Sequence, residues 1–107
     1  MEPRAESEII THRGELEDLC RTFGVQRLAL FGSALTSEWL PDKSDFDFVV
    51  DFAPPPAGLD PFTQQFGFLV QLERTFGRPI DLVERKAITR TEFRRVVDEQ
   101  SLEIYAA

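Results

Sequence analysis

Two apolar runs joined by a short polar connection constrain this chain more than any other feature. They lie between Leu28 and Asp51. The first, Leu28-Ala29-Leu30-Phe31, stops at Gly32-Ser33; the second, Phe46, Phe48, Val49 and Val50, is punctuated by Asp45, Asp47 and Asp51. A buried strand that ends in a tight turn has the first pattern. In the second, side chains alternate across a strand, so Asp45 and Asp47 project from one face and Phe46 and Phe48 from the other. Carboxylates sharing a face repel one another and are poorly solvated among apolar neighbours. A divalent cation between them relieves both problems, and hard oxygen ligands suit magnesium. The same alternation also describes the solvated face of an antiparallel sheet. The Gly-Ser turn favours the site, because a small residue lets the backbone approach a phosphate and successive amides can cradle an anion. A helix opened by Ser33 would add its N-terminal amides and dipole.

The rest of the chain supplies elements around this pair. Residues 1–7 are charged and read as a frayed lead. Ile9, Leu16, Leu19, Cys20 and Phe23 form one stripe, which predicts a helix over about residues 5–23, stopped by Gly24. His12 lies beside that stripe and reads as a boundary residue rather than a base. Val25 to Phe31 is the first strand, Ala34 to Leu40 a short helix, and Pro41 to Ser44 a turn. Trp39 reads as an anchor for its loop, with base stacking as the sharper alternative. The second strand runs from Asp45 to Phe52, and Pro54-Pro55-Pro56 follows as a stiff spacer. Asp60-Pro61 reads as an N-cap and first helical residue. That helix continues to about Thr75 with Phe62, Phe66, Leu69, Val70 and Phe76 on one face. Phe68 and Leu72 widen the face, as burial on two sides or a partner surface would require. Gly77 stops it, and Ile80 to Glu84 is a third strand with Asp81 inside. An acid within a strand is costly unless paired or metal-bound. Thr89 or Thr91 is positioned to cap a helix through Glu99 whose Phe93, Val96 and Val97 face inward. Leu102 to Tyr105 forms a last strand, with Tyr105 as an amphipathic anchor.

At 107 residues the chain is one domain, 1–107, with one core. Ten Phe against one Tyr and one Trp make that core phenylalanine-rich. A net charge of −7 argues against direct nucleic-acid binding and fits a magnesium site or a basic protein partner. One cysteine, Cys20, forms no internal disulfide, which points to a reducing cytoplasm. No apolar run is long enough to span a membrane. The elements predict an α/β (α+β) fold: a small mixed sheet with helices mainly on one face and the acidic face open.

Phe31-Gly32-Ser33 followed by Ser44-Asp45-Phe46-Asp47-Phe48 resembles the signature of the DNA polymerase beta-like nucleotidyltransferases. The short length resembles the minimal nucleotidyltransferases among them, which act as antitoxins beside a HEPN-domain toxin. Gly24-Val25 leading into the first strand, and Phe76-Gly77-Arg78-Pro79-Ile80-Asp81-Leu82-Val83, extend the likeness to about residues 14–105. The resemblance implies a polymerase beta-like fold and transfer of a nucleoside monophosphate, AMP from ATP, to a partner protein. It also implies that Asp45, Asp47 and Asp81 are catalytic and hold two Mg2+ ions, with Gly32, Ser33, Asp45 and Asp47 binding the nucleotide. A HEPN-type toxin is the implied partner, and the assembly is a hetero-oligomer or a homodimer.

The sequence departs from the family in two places. Eleven residues, Ala34 to Ser44, make a slightly longer connection than usual, and Thr36-Ser37 stand where many members carry Arg-Gly. Loss of that Arg removes a charge-assisted phosphate contact of about 1.5–3 kcal/mol. Two other readings therefore stand beside the first. One is a catalytically weak or inactive binding module that neutralises the toxin by direct complex formation. The other is a subunit of an antibiotic-type nucleotidyltransferase, for which the chain is short.

Overall fold

The computed structural model describes residues 3–35 and 45–107, so Trp39, the expected helix beyond Leu35 and the turn at Pro41 to Ser44 lie outside the described residues. The strand-forming runs all pair. Strands β1 (Val25–Phe31), β2 (Phe46–Phe52), β3 (Ile80–Glu84) and β4 (Leu102–Ala106) form one sheet in the order β3-β2-β1-β4. β1 is antiparallel to both β2 and β4, whereas β2 and β3 are parallel. A parallel pair needs a long crossover. Helix α3 (Pro61–Phe76) supplies it, and the ends of α3 were written locally. The Asp60 carboxylate accepts the Thr63 amide at 2.7 Å, and Gly77 closes the helix at φ +64°.

Two helices precede the sheet, α1 (Pro3–Thr11) and α2 (Arg13–Thr22), where the stripe predicts one. The chain breaks at His12, whose ψ of 15° lies off the helical value. Gly14 weakens the start of α2, and the His12 ring is held edge-on to Phe76 at 5.3 Å. α1 already runs from Pro3 with Ala5 fully buried, so the frayed lead expected through residue 7 is shorter. Helix α4 (Thr91–Gln100) precedes β4. Neither expected threonine caps it: Arg90 is the N-cap and makes no side-chain capping bond.

The phenylalanine-rich face of the sheet carries the main core. Leu28, Leu30, Phe46, Phe48, Val50 and Ile80 meet Ile9, Leu16, Cys20, Phe68, Leu72 and Phe76 from α1, α2 and α3. The opposite face is not wholly open, as the sequence suggested. Ala29 and Val49 are apolar there too, and Val97 of α4 and Ile88 cover them in a second, smaller cluster. Arg85, the residue after β3, grips Asp98 of α4 through two 2.8 Å hydrogen bonds and fixes the helix over the sheet. Among the described residues no helix is long and apolar enough to cross a membrane.

The phase of α3 differs from expectation. Gln64, Phe68, Leu72 and Phe76 are its buried residues, while Phe62 and Phe66 are 74% and 53% exposed. A glutamine inside is explained by two carbonyls. Its amide nitrogen donates to Phe23 O at 2.8 Å and Ala53 O at 3.0 Å, tying the ends of α2 and β2 to α3. Gln64→Leu preserves the size but strands both carbonyls. It is expected to cost about 1–3 kcal/mol in urea unfolding, whereas an unaltered midpoint would deny the amide this role.

Candidate active site

The acids lie on the sheet face opposite the main core, at the start of two adjacent strands. Asp47 is the second residue of β2 and Asp81 the second of β3, and the parallel register sets them directly beside each other. Asp45 immediately precedes β2 and, like Asp81, is exposed, while Asp47 is half-buried. The cost of enclosing an acid therefore falls on Asp47, not on Asp81 as the sequence suggested. Burial pushes the Asp47 carboxyl above its usual range, and the charges of Asp81 and then Asp45 push it further the same way.

Across the sheet, Phe31 pairs with Asp47, and the chain turns at once into a short 3-10 segment, Gly32–Leu35. Ser33 is the second residue of that segment. Gly32 adopts φ +76°, and a Cβ built on it would stand 2.5 Å from Asp47 Oδ2. The carboxylate thus rests against the bare Cα of the turn, an approach only glycine allows. One local arrangement joins the two sequence features, the Gly-Ser turn and the Asp-x-Asp run.

Among the described residues no three acid, histidine or cysteine side chains already close around a metal ion. Two like charges beside a half-buried carboxylate nonetheless fit a divalent cation: the donors are hard oxygens, and their repulsion is what a cation would offset. A stability test follows from the sign of the shift. A carboxyl raised in the folded state destabilises the protein above its folded pKa, and that penalty vanishes as pH falls below the unfolded value. Asp47→Asn removes it. In chelator at pH 7 the variant is expected to melt about 2–5 °C higher than the parent, as a partly screened penalty of burial and repulsion of about 0.5–1 kcal/mol implies in a domain this size. The gap should narrow toward pH 3. Equal melting points at pH 7 would show that the acids do not repel.

The face also contains a feature the sequence did not reveal. Phe93 and Val96, expected to face inward from α4, are 40% and 41% exposed, because Val97 alone reaches the second core. They line a cleft of about 510 Å³ whose other wall is Phe31, Gly32 and Leu35. On the opposite side of the molecule Phe62 and Phe66, stacked at 12°, form an apolar groove with Leu69 and Leu82.

The fold has known counterparts. A candidate minimal nucleotidyltransferase superposes with a TM-score of 0.71 at 23% identity, over 92% of this chain and 93% of that one. A toxin–antitoxin structure with AMP-PNP gives 0.63 at 21% identity, over 89% of this chain and 73% of its own. A complex of tri-AMPylated Shewanella oneidensis HEPN toxin with its MNT antitoxin gives 0.61 at 20% identity, over 92% and 73%. No curated protein matches in sequence. The sequence profile of the nucleotidyltransferase domain matches residues 13–104, from α2 to β4, with the Gly-Ser turn and all three acids inside it. The chain therefore belongs to the nucleotidyltransferase domain family.

Proposed function

We propose that this domain transfers a nucleoside monophosphate, AMP from ATP, to a hydroxyl of a partner protein, and thereby acts as the antitoxin of a HEPN-type toxin. The observation that carries the reading is the half-buried Asp47, set beside Asp81 and seated on Gly32. Family membership, the similar toxin–antitoxin structure with AMP-PNP and the similar complex with an AMPylated HEPN toxin support the substrate and partner classes.

In this reading Asp45 and Asp47 would each hold both of two Mg2+ ions, and Asp81 the one nearer the nucleophile. Bound Mg2+ would neutralise the triphosphate and lower the pKa of the attacking hydroxyl. The amides of Gly32 and Ser33, with the Ser33 hydroxyl, hold the β- and γ-phosphates. The acceptor oxygen attacks the α-phosphorus, a new P–O bond forms, and the bond to the β-bridging oxygen breaks. Pyrophosphate leaves with that electron pair, and the hydroxyl proton passes to Asp81 directly or through water. Catalysis rests on positioning and charge neutralisation.

A second reading, toxin neutralisation by binding alone, has its own support in the apolar groove of Phe62, Phe66, Leu69 and Leu82, since Leu82 belongs to the core face opposite Asp81. One experiment separates the two. The protein is incubated with α-labelled ATP and Mg2+, with and without a HEPN-type toxin as candidate partner. Label transferred to the partner, with loss of toxicity only when ATP is present, is the expected result. Neutralisation without ATP and without label would establish the binding module instead.

A further inference from the structure

We propose that the cleft between the Gly32–Leu35 turn and α4 holds the nucleobase and ribose of the nucleoside triphosphate, with Phe93 as the stacking surface and Gln100 as the group that selects adenine. This rests on the nucleotidyl-transfer reading above and extends it to the half of the substrate that the acids do not touch.

Four observations meet here. The cleft is continuous with the acid cluster, because Gly32 forms part of its wall and also carries the Asp47 carboxylate against its Cα. Phosphates held at the turn therefore lead directly into it. Its volume of about 510 Å³ falls within the range of small-molecule sites. Its lining is Phe31, Leu35, Phe93, Val96 and Val97 with one polar side chain, Gln100, the composition of a site that stacks a flat apolar ring and reads one edge of it. Finally, the exposure of Phe93 and Val96 is built in rather than incidental. Val97 and the Arg85–Asp98 pair fix α4 over the sheet, and that leaves the two residues uncovered. The Phe31 and Phe93 rings meet at 66° with centroids 6.1 Å apart, so a ring face remains uncovered by the pair.

The choice of adenine comes from the amide. A carboxamide offers one donor and one acceptor side by side, which matches the amino group and ring nitrogen of adenine. The same edge of guanine presents two acceptors.

The test measures equilibrium binding of ATP, GTP and inorganic tripolyphosphate to the full chain in Mg2+, with Phe93→Ala, Val96→Trp and Gln100→Ala. Stacking on an aromatic ring predicts that Phe93→Ala weakens ATP about tenfold or more while leaving tripolyphosphate unchanged. Val96→Trp fills the cleft from a surface position and should do the same without removing an aromatic. Gln100→Ala should bring ATP and GTP to within about twofold of each other from a tenfold preference. If the parent binds ATP and both cleft variants bind it equally well, the base lies elsewhere and the proposal is overturned while nucleotidyl transfer stands. If the parent binds neither ATP nor tripolyphosphate, both fall together.

Discussion

Asp47→Ala is expected to bring AMP transfer to background, a loss of about a thousandfold or more, in a protein that still folds. The size follows from what the residue does. Phosphoryl-group transfer depends on neutralising charge that spreads over the phosphate oxygens, and losing one such element costs factors of a thousand upward. Asp47 stands in the middle of the cluster, with Asp81 beside it and Asp45 two residues before it, so its loss dismantles the set rather than trimming it. The fold persists because the Asp47 side chain adds nothing to the core. Phe46 and Phe48, its neighbours on β2, point to the other face and are fully buried. A labelled-ATP assay alongside thermal melting checks both halves. Transfer within tenfold of the parent would remove Asp47 from the chemistry.

Gly32→Ala should be nearly as damaging, for a different reason. The added methyl would sit 2.5 Å from Asp47 Oδ2 and 3.3 Å from its Cγ, so the carboxylate or the turn must move. A displacement of about 1 Å in a positioned group costs about a hundredfold in rate. A φ of +76° adds backbone strain of order 1–3 kcal/mol for a residue with a Cβ. Gly58 is the control. It also has a positive φ, +89°, but nothing lies within 4 Å of an added Cβ. Gly58→Ala should share the loss of stability and keep the activity. If the two variants lose activity alike, strain rather than the collision with Asp47 is responsible; if neither loses any, the turn does not support the site.

Features with local causes were legible in the sequence. The bounds of β1 and β3, the Asp60 cap and the Gly77 stop each depend on a few neighbouring residues, and the structure reproduces them. The alternation of acids and phenylalanines in β2 also sorts to two faces as expected. Features that depend on distant partners were not legible. Apolar residues surround α3 so widely that periodicity could not choose a face, and Gln64 inside it makes sense only beside the carbonyls of Phe23 and Ala53. In α4 the triplet Phe93, Val96, Val97 reads as one inward stripe, but the sheet beneath has room for Val97 alone. The sequence nominated Asp81 without showing its neighbour; the pairing of β3 with β2 did that. The cleft was invisible for the same reason, since its walls lie some sixty positions apart.

That pairing of β2 with β3 makes the hydrophobic layer a gauge for the chemistry. Successive side chains alternate sides, so a slide of a single residue would turn Asp81 inward and bring a leucine or isoleucine to stand by Asp47. What forbids the slide is on the far side of the sheet, where Phe46, Phe48 and Ile80 are wedged against Phe76 and Leu72. Trimming those rings should blur the alignment of the acids before it melts the domain, so the earliest casualty of a loosened interior would be turnover.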